Sequence, residues 1–270
     1  MRETLARILG NTPAFPPLPT PWSAQAVVYV DVGARGGPPS SWLKLTNRIE
    51  YICFEPDPAE AESLRRFFDS RQEFKGLVMA RALGAHQGLV SLNLTRFRPA
   101  SSIFQPNHNL LRNFEIHPLL EVDRVVEVPV DTLDAQLQTI SSNCDFLKID
   151  VQGYELEVLK GAENALENSR GCELEVSFIE IYQDQPLFEE IDSFMRARGF
   201  FLADLERVWW HYANVPDYAR LRGSLAYGNA LYLRKDIAEP TERDQLLVDT
   251  IICIATGLSE LAFRCVAHGR

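Results

Sequence analysis

The sequence predicts a doubly wound α/β domain, a mostly parallel sheet with helices on both faces, followed by a C-terminal amphipathic helix. Short apolar runs rich in β-branched residues alternate with segments whose apolar residues recur at helical spacing. Three of these runs end in an acidic residue that is soon followed by glycine or proline. With 270 residues, the chain has room for one large domain with short extensions at its ends.

We expect the chain to have three parts. Residues 1–26 form a short helix and a proline-rich connector, residues 27–235 form the α/β domain, and residues 236–270 form the C-terminal helix. That helix packs either on the domain or on a second copy of the chain, which leaves a homodimer open. The prolines at positions 13 to 21 rule out a spanning helix in the longest uncharged stretch, and we expect no secretory signal.

In the first half of the chain, glycine and proline separate each apolar run from the element that follows it. The run over residues 89–95 alternates apolar and polar side chains, as does a strand with one solvated face. Residues 100–122 are predicted to be mostly loop. The predicted elements are a strand over 27–32, a helix over 41–47, a strand over 49–55, a helix over 59–70, and strands over 75–83, 89–95 and 125–130.

In the second half, a helix beginning at Asp131 or Thr132 precedes the most apolar strands of the chain. The predicted elements are a strand over 145–151, a helix over 154–168, a strand over 174–182, a helix over 188–198, strands over 200–205 and 228–233, and one long helix over 241–267. No helical periodicity separates the last two strands, so they are predicted to form an antiparallel pair.

Charge and cysteine content narrow the functional classes. The 37 acidic residues exceed the 27 Lys and Arg, so the formal charge is −10, and we expect neither nucleic acid nor an anionic membrane as a partner. The five cysteines are scattered and contain no Cys-x-x-Cys pair. This usage is typical of buried thiols in a reducing compartment, so we expect a cytoplasmic protein.

Acidic residues end three of the predicted strands: Asp31, Glu55 and Asp150. In open α/β sheets, ligands bind outside the carboxyl ends of the strands, so these residues are candidates for one site. The alternative is that each acid is solvated or caps the next helix. The turn after the first strand reads Gly33-Ala34-Arg35-Gly36-Gly37, which is not the Gly-x-Gly-x-x-Gly pattern of a dinucleotide site.

The chemistry of the predicted ligand follows from these acids. A carboxylate at Asp31 would repel a pyrophosphate but suits a cationic amino group beside a sulfonium. Glu55 follows Asp31 by 24 residues, close to the spacing at which an acid reaches ribose hydroxyls in nucleotide-binding folds. Together they describe a positively charged nucleoside, and S-adenosyl-L-methionine is the common molecule of that kind.

An ordered set of motifs resembles the FkbM-type family of S-adenosylmethionine-dependent methyltransferases. The motifs are VDVGARGGP (30–38), FEPDP (54–58), ALG…G (82–88), SSI (101–103), VDTLD (130–134), DFLKIDVQGYELEVLKGA (145–162) and EVSFIEIY (175–182). The resemblance implies a class I methyltransferase-like Rossmann fold and, usually, transfer to a hydroxyl oxygen. The residues expected to bind the cofactor are Asp31, Gly33, Ala34, Arg35, Glu55, Pro56, Ala82, Leu83, Ser102 and Asp150.

Asp150 is the expected catalytic residue. A hydroxyl acceptor must lose its proton, and apolar neighbours would partly desolvate the Asp150 carboxylate and make it a better base. The alternatives are that Asp150 binds the adenosyl end or caps the next helix. Lys148 lies on the same face of the strand and would hold Asp150 ionised or act as a structural partner.

Other residues give weaker signals. Asp150 with Glu175 or Glu180 would suit a divalent cation, but we favour no metal. Glu155 is expected to cap its helix, and His108, His117 and the Trp209-Trp210-His211 group are secondary candidates for the acceptor site. The sequence thus predicts an O-methyltransferase for a small molecule or glycan. A nucleotide-binding oxidoreductase and a catalytically silent binding subunit of the same fold are the alternatives.

Overall fold

The computed structural model describes residues 26–71, 74–216, 222–239 and 243–268. Its strands are β1 (Val27–Val32), β2 (Ile49–Phe54), β3 (Lys75–Met79), β4 (Ala82–Leu83), β5 (Gly88–Thr95), β6 (Val122–Asp131), β7 (Phe146–Ile149), β8 (Gly171–Ser177), β9 (Phe200–Trp210) and β10 (Ser224–Arg234). Its helices are α1 (Ser40–Leu43), α2 (Pro58–Asp69), α3 (His108–Leu111), α4 (Leu133–Thr139), α5 (Glu155–Lys160), α6 (Glu163–Asn168), α7 (Phe188–Ala197), α8 (Arg243–Ala255) and α9 (Ser259–His268). Short 3-10 turns occupy Thr46–Arg48, Arg98–Ala100 and His117–Leu119.

A seven-stranded sheet in the order β3-β2-β1-β7-β8-β10-β9 forms the centre of the fold. The contacts between β1, β2, β3, β7 and β8 are all parallel, whereas β10 runs antiparallel to both β8 and β9. The predicted fold class and the predicted antiparallel pair at the end of the sheet are confirmed. The predicted helix and connector before residue 26 lie outside the described residues.

The predicted strand over residues 75–83 is wrong, because it is two strands in two sheets. A turn in which the Arg81 N–H bonds to the Met79 carbonyl ends β3. The chain then enters β4, which pairs in parallel with β6, and β6 pairs antiparallel with β5. This three-stranded sheet stands at the carboxyl ends of the main strands and helps to form the cavity described below.

Two predicted helices are each divided in two. The segment over 154–168 breaks at Gly161, where a Cβ atom would lie 2.1 Å from the Gly84 carbonyl oxygen, so the backbones approach too closely for a longer side chain. The C-terminal segment breaks at Gly257, which has φ +80°. The other differences are shifts of strand and helix ends, chiefly β8, which ends at Ser177 rather than at residue 182.

The hydrophobic core covers both faces of the main sheet. On one face, Tyr29, Tyr51 and Phe146 pack with buried residues of the C-terminal helices, among them Ile251 and Ile252. On the other face, alternate residues of the same strands pack against α4 to α7. The C-terminal helices therefore pack on the domain, and dimerisation stays a prediction.

A buried ion pair also fixes the C-terminal segment. The Arg170 guanidinium donates to both carboxylate oxygens of Asp249, at 2.7 and 2.9 Å, and both side chains are almost fully buried. All five cysteines lie within the described ranges, buried and without a disulfide. Among the residues that the structure describes, no helix is both long and apolar enough to cross a membrane.

Candidate functional site

A cavity of about 350 Å³ opens at the carboxyl ends of β1, β2 and β7. Val32, Phe54 and Asp150 line it from the ends of these strands. On the opposite side, Leu92 of β5 and Ile103 of the following segment close it. The cavity therefore lies between the main sheet and the small sheet, where ligands of open α/β sheets bind.

Gly33 allows the turn after β1 to pack closely against the end of β7. Its φ is +79°, and a Cβ atom there would lie 1.9 Å from the Asp150 carbonyl oxygen. The N–H groups of Gly33 and Ala34 both donate to the Phe54 carbonyl, at 2.9 and 3.2 Å. Only glycine allows this approach and this conformation, so Gly33 sets one wall of the cavity.

Arg35 ties the same turn to the start of α2. Its guanidinium donates to Asp57 at 2.8 Å and pairs with Glu60 at 3.4 Å, and the Gly36 N–H donates to Glu60 at 3.1 Å. Arg35 lines the cavity, and its guanidinium is already paired with carboxylates. It therefore shapes the turn and adds little net positive charge to the cavity.

Glu55 places a carboxylate in the cavity at the end of β2. Its side chain is almost fully buried, and one oxygen accepts the Asp57 N–H at 2.9 Å. The second oxygen has no hydrogen-bond donor within the described part of the chain. Burial raises the pKa of Glu55 to about 7, and the Asp57 N–H and Arg35 partly counteract it. The free oxygen can accept hydrogen bonds from hydroxyl groups of a ligand.

Asp31 does not line the cavity, contrary to the prediction. Its side chain points to the face of the sheet that holds Tyr29 and Tyr51, and it is fully buried. The Tyr51 hydroxyl donates to one oxygen, and Lys148 Nζ lies 3.2 Å from the other. Strand alternation directs Val32 to the cavity instead, so Asp31 is a structural partner of Lys148.

The structure divides the other predicted cofactor residues into two groups. Ala34 and Ser102 are buried behind the cavity wall and do not line it. Ser102 instead donates to the Gln152 carbonyl at 2.6 Å, and its neighbour Ser101 lines the cavity. The predicted cofactor residues that do line the cavity are Gly33, Arg35, Glu55, Pro56, Ala82, Leu83 and Asp150, and their binding of the cofactor stays a prediction.

Asp150 belongs to a carboxylate pair that one amide joins. Gln152 Nε2 donates to Asp150 Oδ1 at 2.8 Å and to Glu175 Oε2 at 2.6 Å. Burial, followed by the Asp150 and Glu155 carboxylates, raises the pKa of Glu175 well above its usual value. The Asp150 side chain is 38% exposed, so it is the more hydrated member of the pair.

Lys148 supplies the positive charge next to this pair. Its Nζ lies 4.0 Å from Asp150 Oδ2 and 3.2 Å from Asp31. Burial alone would lower the pKa of Lys148, but Asp31 and Asp150 raise it above its usual value, so the ammonium is retained. Lys148 therefore contacts Asp31 as a structural partner and stands beside Asp150, and its effect on the Asp150 carboxylate stays a prediction.

Glu155 holds the turn between β7 and α5. Its buried carboxylate accepts the N–H groups of Val151 and Gly153, at 2.9 and 3.1 Å. Burial raises its pKa to about 7. It binds backbone N–H groups, as a capping acid does, although these groups belong to the turn that precedes the helix.

The secondary candidates lie away from the cavity. His108 is exposed and His117 is half-buried, with Nδ1 of the first 3.3 Å from Nε2 of the second. Trp210 packs on Phe114, with ring centroids 5.7 Å apart. Glu180 does not join Asp150, because its carboxylate pairs with Asn107. Within the described ranges, no group of three or more His, Cys, Asp or Glu side chains is arranged to hold a metal.

Sequence reasoning missed Gln152, which lines the cavity and joins the two carboxylates. The available signal was the Gln-Gly pair directly after a buried strand that ends in an acid, since such a turn faces the ligand site. The lining leucines of β5 were missed because the small sheet was not predicted.

Comparison with known proteins adds independent findings. A family model described as the methyltransferase FkbM domain matches residues 31–202, a range that contains all residues lining the cavity. The chain is similar to the 2-O-methyltransferase NoeI of Sinorhizobium fredii, with 26% identity over 190 residues, covering 63% of this chain and 75% of that protein.

Solved structures give distant matches. Magnesium protoporphyrin IX methyltransferase from Synechocystis PCC 6803, solved with bound SAM, is 10% identical, with 78% of this chain and 71% of that chain covered and a TM-score of 0.41. TehB from Haemophilus influenzae is 9% identical, with 78% and 59% covered and a TM-score of 0.40.

Proposed function

This chain belongs to the FkbM methyltransferase family, and from that premise we propose that it transfers a methyl group from S-adenosyl-L-methionine to a hydroxyl oxygen of a small molecule or glycan. The observation that carries the proposal is that Glu55 and Asp150 face the same cavity of about 350 Å³ from the ends of β2 and β7, the two strands on either side of β1. In this proposal Glu55 binds the cofactor and Asp150 faces the acceptor.

The residues of the cavity fit a nucleoside. Phe54, Leu83 and Ile103 provide apolar walls for a base. The buried Glu55 carboxylate has one free oxygen, which suits the hydroxyl groups of a ribose. Gly33 lets the first turn approach the end of β7, so an amino-acid tail would meet backbone there rather than side chain.

Asp150 is the group that would take the acceptor proton. When bound, the cofactor supplies a methyl carbon whose bond to sulfur breaks, with its electron pair left on sulfur, as the new carbon–oxygen bond forms. The Asp150 carboxylate accepts the proton that the hydroxyl loses and later releases it to water. Lys148 Nζ places a positive charge 4.0 Å from this carboxylate, and the small sheet covers one side of the cavity.

Oxygen as the acceptor atom is supported by two observations. The similar protein NoeI carries the name 2-O-methyltransferase. In this chain, carboxylate and amide groups surround the end of β7, and such groups bind hydroxyl groups well. A neutral polyol or sugar fits this lining better than an anion, because the carboxylates would repel a negative charge.

Calorimetry with S-adenosylhomocysteine tests the cofactor assignment. We expect saturable binding to the wild type and a loss of about tenfold or more in affinity for Glu55→Ala, since a charged hydrogen-bond acceptor is removed. Glu62→Ala is the matched control, because Glu62 lies on α2 with an exposed side chain and does not line the cavity. Absence of binding to the wild type would refute the proposal, and NADH binding instead would favour the oxidoreductase alternative.

A screen with methyl-labelled S-adenosyl-L-methionine tests the acceptor class. We expect label to be transferred to members of a panel of methyl glycosides and polyols, and Asp150→Asn to reduce the rate by about 100-fold or more. Transfer to amines or thiols alone would contradict the assignment of a hydroxyl acceptor.

A further inference from the structure

Gln152 has an unusual backbone conformation for its residue type. Its φ is +59°, and the next residue, Gly153, has φ +98°. A residue other than glycine rarely adopts this left-handed region and does so at a cost that its surroundings must compensate. The conformation turns the Gln152 side chain back toward the end of β7, where it lines the cavity.

Hydrogen bonds fix the orientation of the Gln152 amide. Its Nε2 donates to Asp150 and Glu175, whereas its Oε1 accepts from the Tyr182 hydroxyl at 3.0 Å. The reverse orientation would place the amide oxygen against the Asp150 carboxylate, which favours the observed one, and the Tyr182 hydroxyl proton is shared between Gln152 Oε1 and the Ala100 carbonyl, 2.9 Å away. The Ser102 hydroxyl also holds the Gln152 carbonyl, at 2.6 Å, and this bond fixes the backbone.

The Gln152 amide fixes the relative positions of the Asp150 and Glu175 carboxyl groups. Burial and the direct interaction with Asp150 raise the pKa of Glu175, since the two carboxyl groups would repel each other if both were ionised. With the amide in place, Asp150 Oδ1 is occupied, and Oδ2 lies on the side of Lys148. The rotation of the Asp150 carboxylate is therefore fixed by a neighbour two residues away.

We propose that Gln152 is a positioning residue that fixes the Asp150 carboxylate for proton removal from the acceptor. This inference rests on the proposed transfer to a hydroxyl oxygen. The supporting observation is that the Gln152 amide bonds to both Asp150 and Glu175 while Tyr182 and Ser102 hold Gln152 in place. Gln152 acts through Asp150, because its own amide hydrogens are both donated to carboxylates.

Charged and titratable groups on several elements face the Asp150 and Glu175 pair, and none of them is replaced in the variants described below. They are Lys148 on β7, Glu173 on β8, Glu155 at the start of α5, Tyr182 after β8 and Tyr227 on β10.

The test compares Gln152→Met, which keeps the length but removes both donors, with the matched control Gln138→Met, because Gln138 is exposed on α4 and does not line the cavity. We expect Gln152→Met to lower kcat by about tenfold or more and to change KM for the methyl glycoside by less than about threefold. A loss in kcat without a matching change in KM separates an effect on positioning from an effect on acceptor binding. The acid limb of the pH–rate profile should move to higher pH, because the donor that favours the ionised carboxylate is gone. Gln138→Met makes the same replacement away from the Asp150 and Glu175 pair and should keep the wild-type kcat and pH profile.

A second readout does not require an acceptor. Carbon-13 NMR of carboxyl-labelled protein, saturated with S-adenosylhomocysteine, follows the titration of the Asp150 and Glu175 pair, with Asp150→Asn for assignment. We expect the titration of the pair to move to higher pH in Gln152→Met while circular dichroism stays native. An unchanged titration in folded protein overturns the inference. If the titration moves but the wild type methylates no glycoside or polyol, the link to Asp150 stands and the proposed acceptor class is wrong.

Discussion

Replacing Gly33 by alanine is the substitution whose consequences the structure defines most closely. The new Cβ atom would lie 1.9 Å from the Asp150 carbonyl oxygen and would force an L-residue to φ +79°. Gly36 is a matched control, because its φ is +84° but no atom lies within 4 Å of an added Cβ. The two variants share the cost of the left-handed conformation and differ in the steric overlap.

The expected magnitudes follow from this comparison. The left-handed conformation costs roughly 1–2 kcal/mol in each variant. Gly33→Ala should lose a further 1–3 kcal/mol or so, since backbone rather than a flexible side chain must move to relieve the overlap. For a protein of this size, each kcal/mol lowers Tm by roughly 2–4 °C.

Thermal unfolding and calorimetry measure the two consequences together. We expect Gly33→Ala to unfold several degrees below Gly36→Ala and to bind S-adenosylhomocysteine at least about tenfold more weakly than it, because the turn is displaced from the end of β7. Equal Tm values and equal affinities for the two variants would refute the close approach that shapes the cavity.

Two further predictions concern buried charge. Asp249→Ala should destabilise the protein by about 3–5 kcal/mol in chemical denaturation, because it leaves Arg170 buried without its main partner, whereas Asp236→Ala, which removes the exposed partner, should cost about 1 kcal/mol or less. Similar losses of stability in the two variants would show that burial of the Arg170 and Asp249 pair does not increase the cost of removing a partner. The pKa of Glu55, raised to about 7, predicts that the affinity for S-adenosylhomocysteine falls below pH 7 by up to about tenfold per unit, because ribose hydroxyls favour the ionised form. Glu55→Gln should remove this dependence in calorimetric titrations across pH 5 to 8, and an unchanged dependence would exclude Glu55 as its source.

The sign of the Glu55 effect on folding is opposite to its effect on binding. Because the folded protein raises the pKa of Glu55 above that of an unfolded carboxyl, its contribution to stability is present at low pH and is lost as the pH rises toward 7. Folding therefore disfavours the ionised form of Glu55, whereas a ligand that donates hydroxyl groups to it would favour that form.

Strand periodicity predicted the main sheet well because its strands are buried and separated by clear turns. β1 begins and ends where the sequence predicts, and Glu55 and Asp150 reach the same cavity because parallel strands end at one edge. Periodicity alone could not show that residues 75–83 enter two sheets, since that depends on pairing with β5 and β6, which lie later in the chain.

The errors in the site have a common physical origin. Which face of β1 meets the cavity depends on tertiary packing, so Asp31 was placed there although it pairs with Lys148 inside the core. Gln152 was missed because its role comes from a left-handed backbone and from hydrogen bonds to distant residues. Neither property appears in composition or spacing.

A crystal structure with S-adenosylhomocysteine bound would test the assignment of the cavity most directly. We expect the ribose hydroxyls to donate to the Glu55 carboxylate and the sulfur to point toward Asp150, with Gln152 still joining Asp150 to Glu175. A ligand bound elsewhere, or one bound here with its ribose away from Glu55 and its sulfur away from Asp150, would contradict both roles.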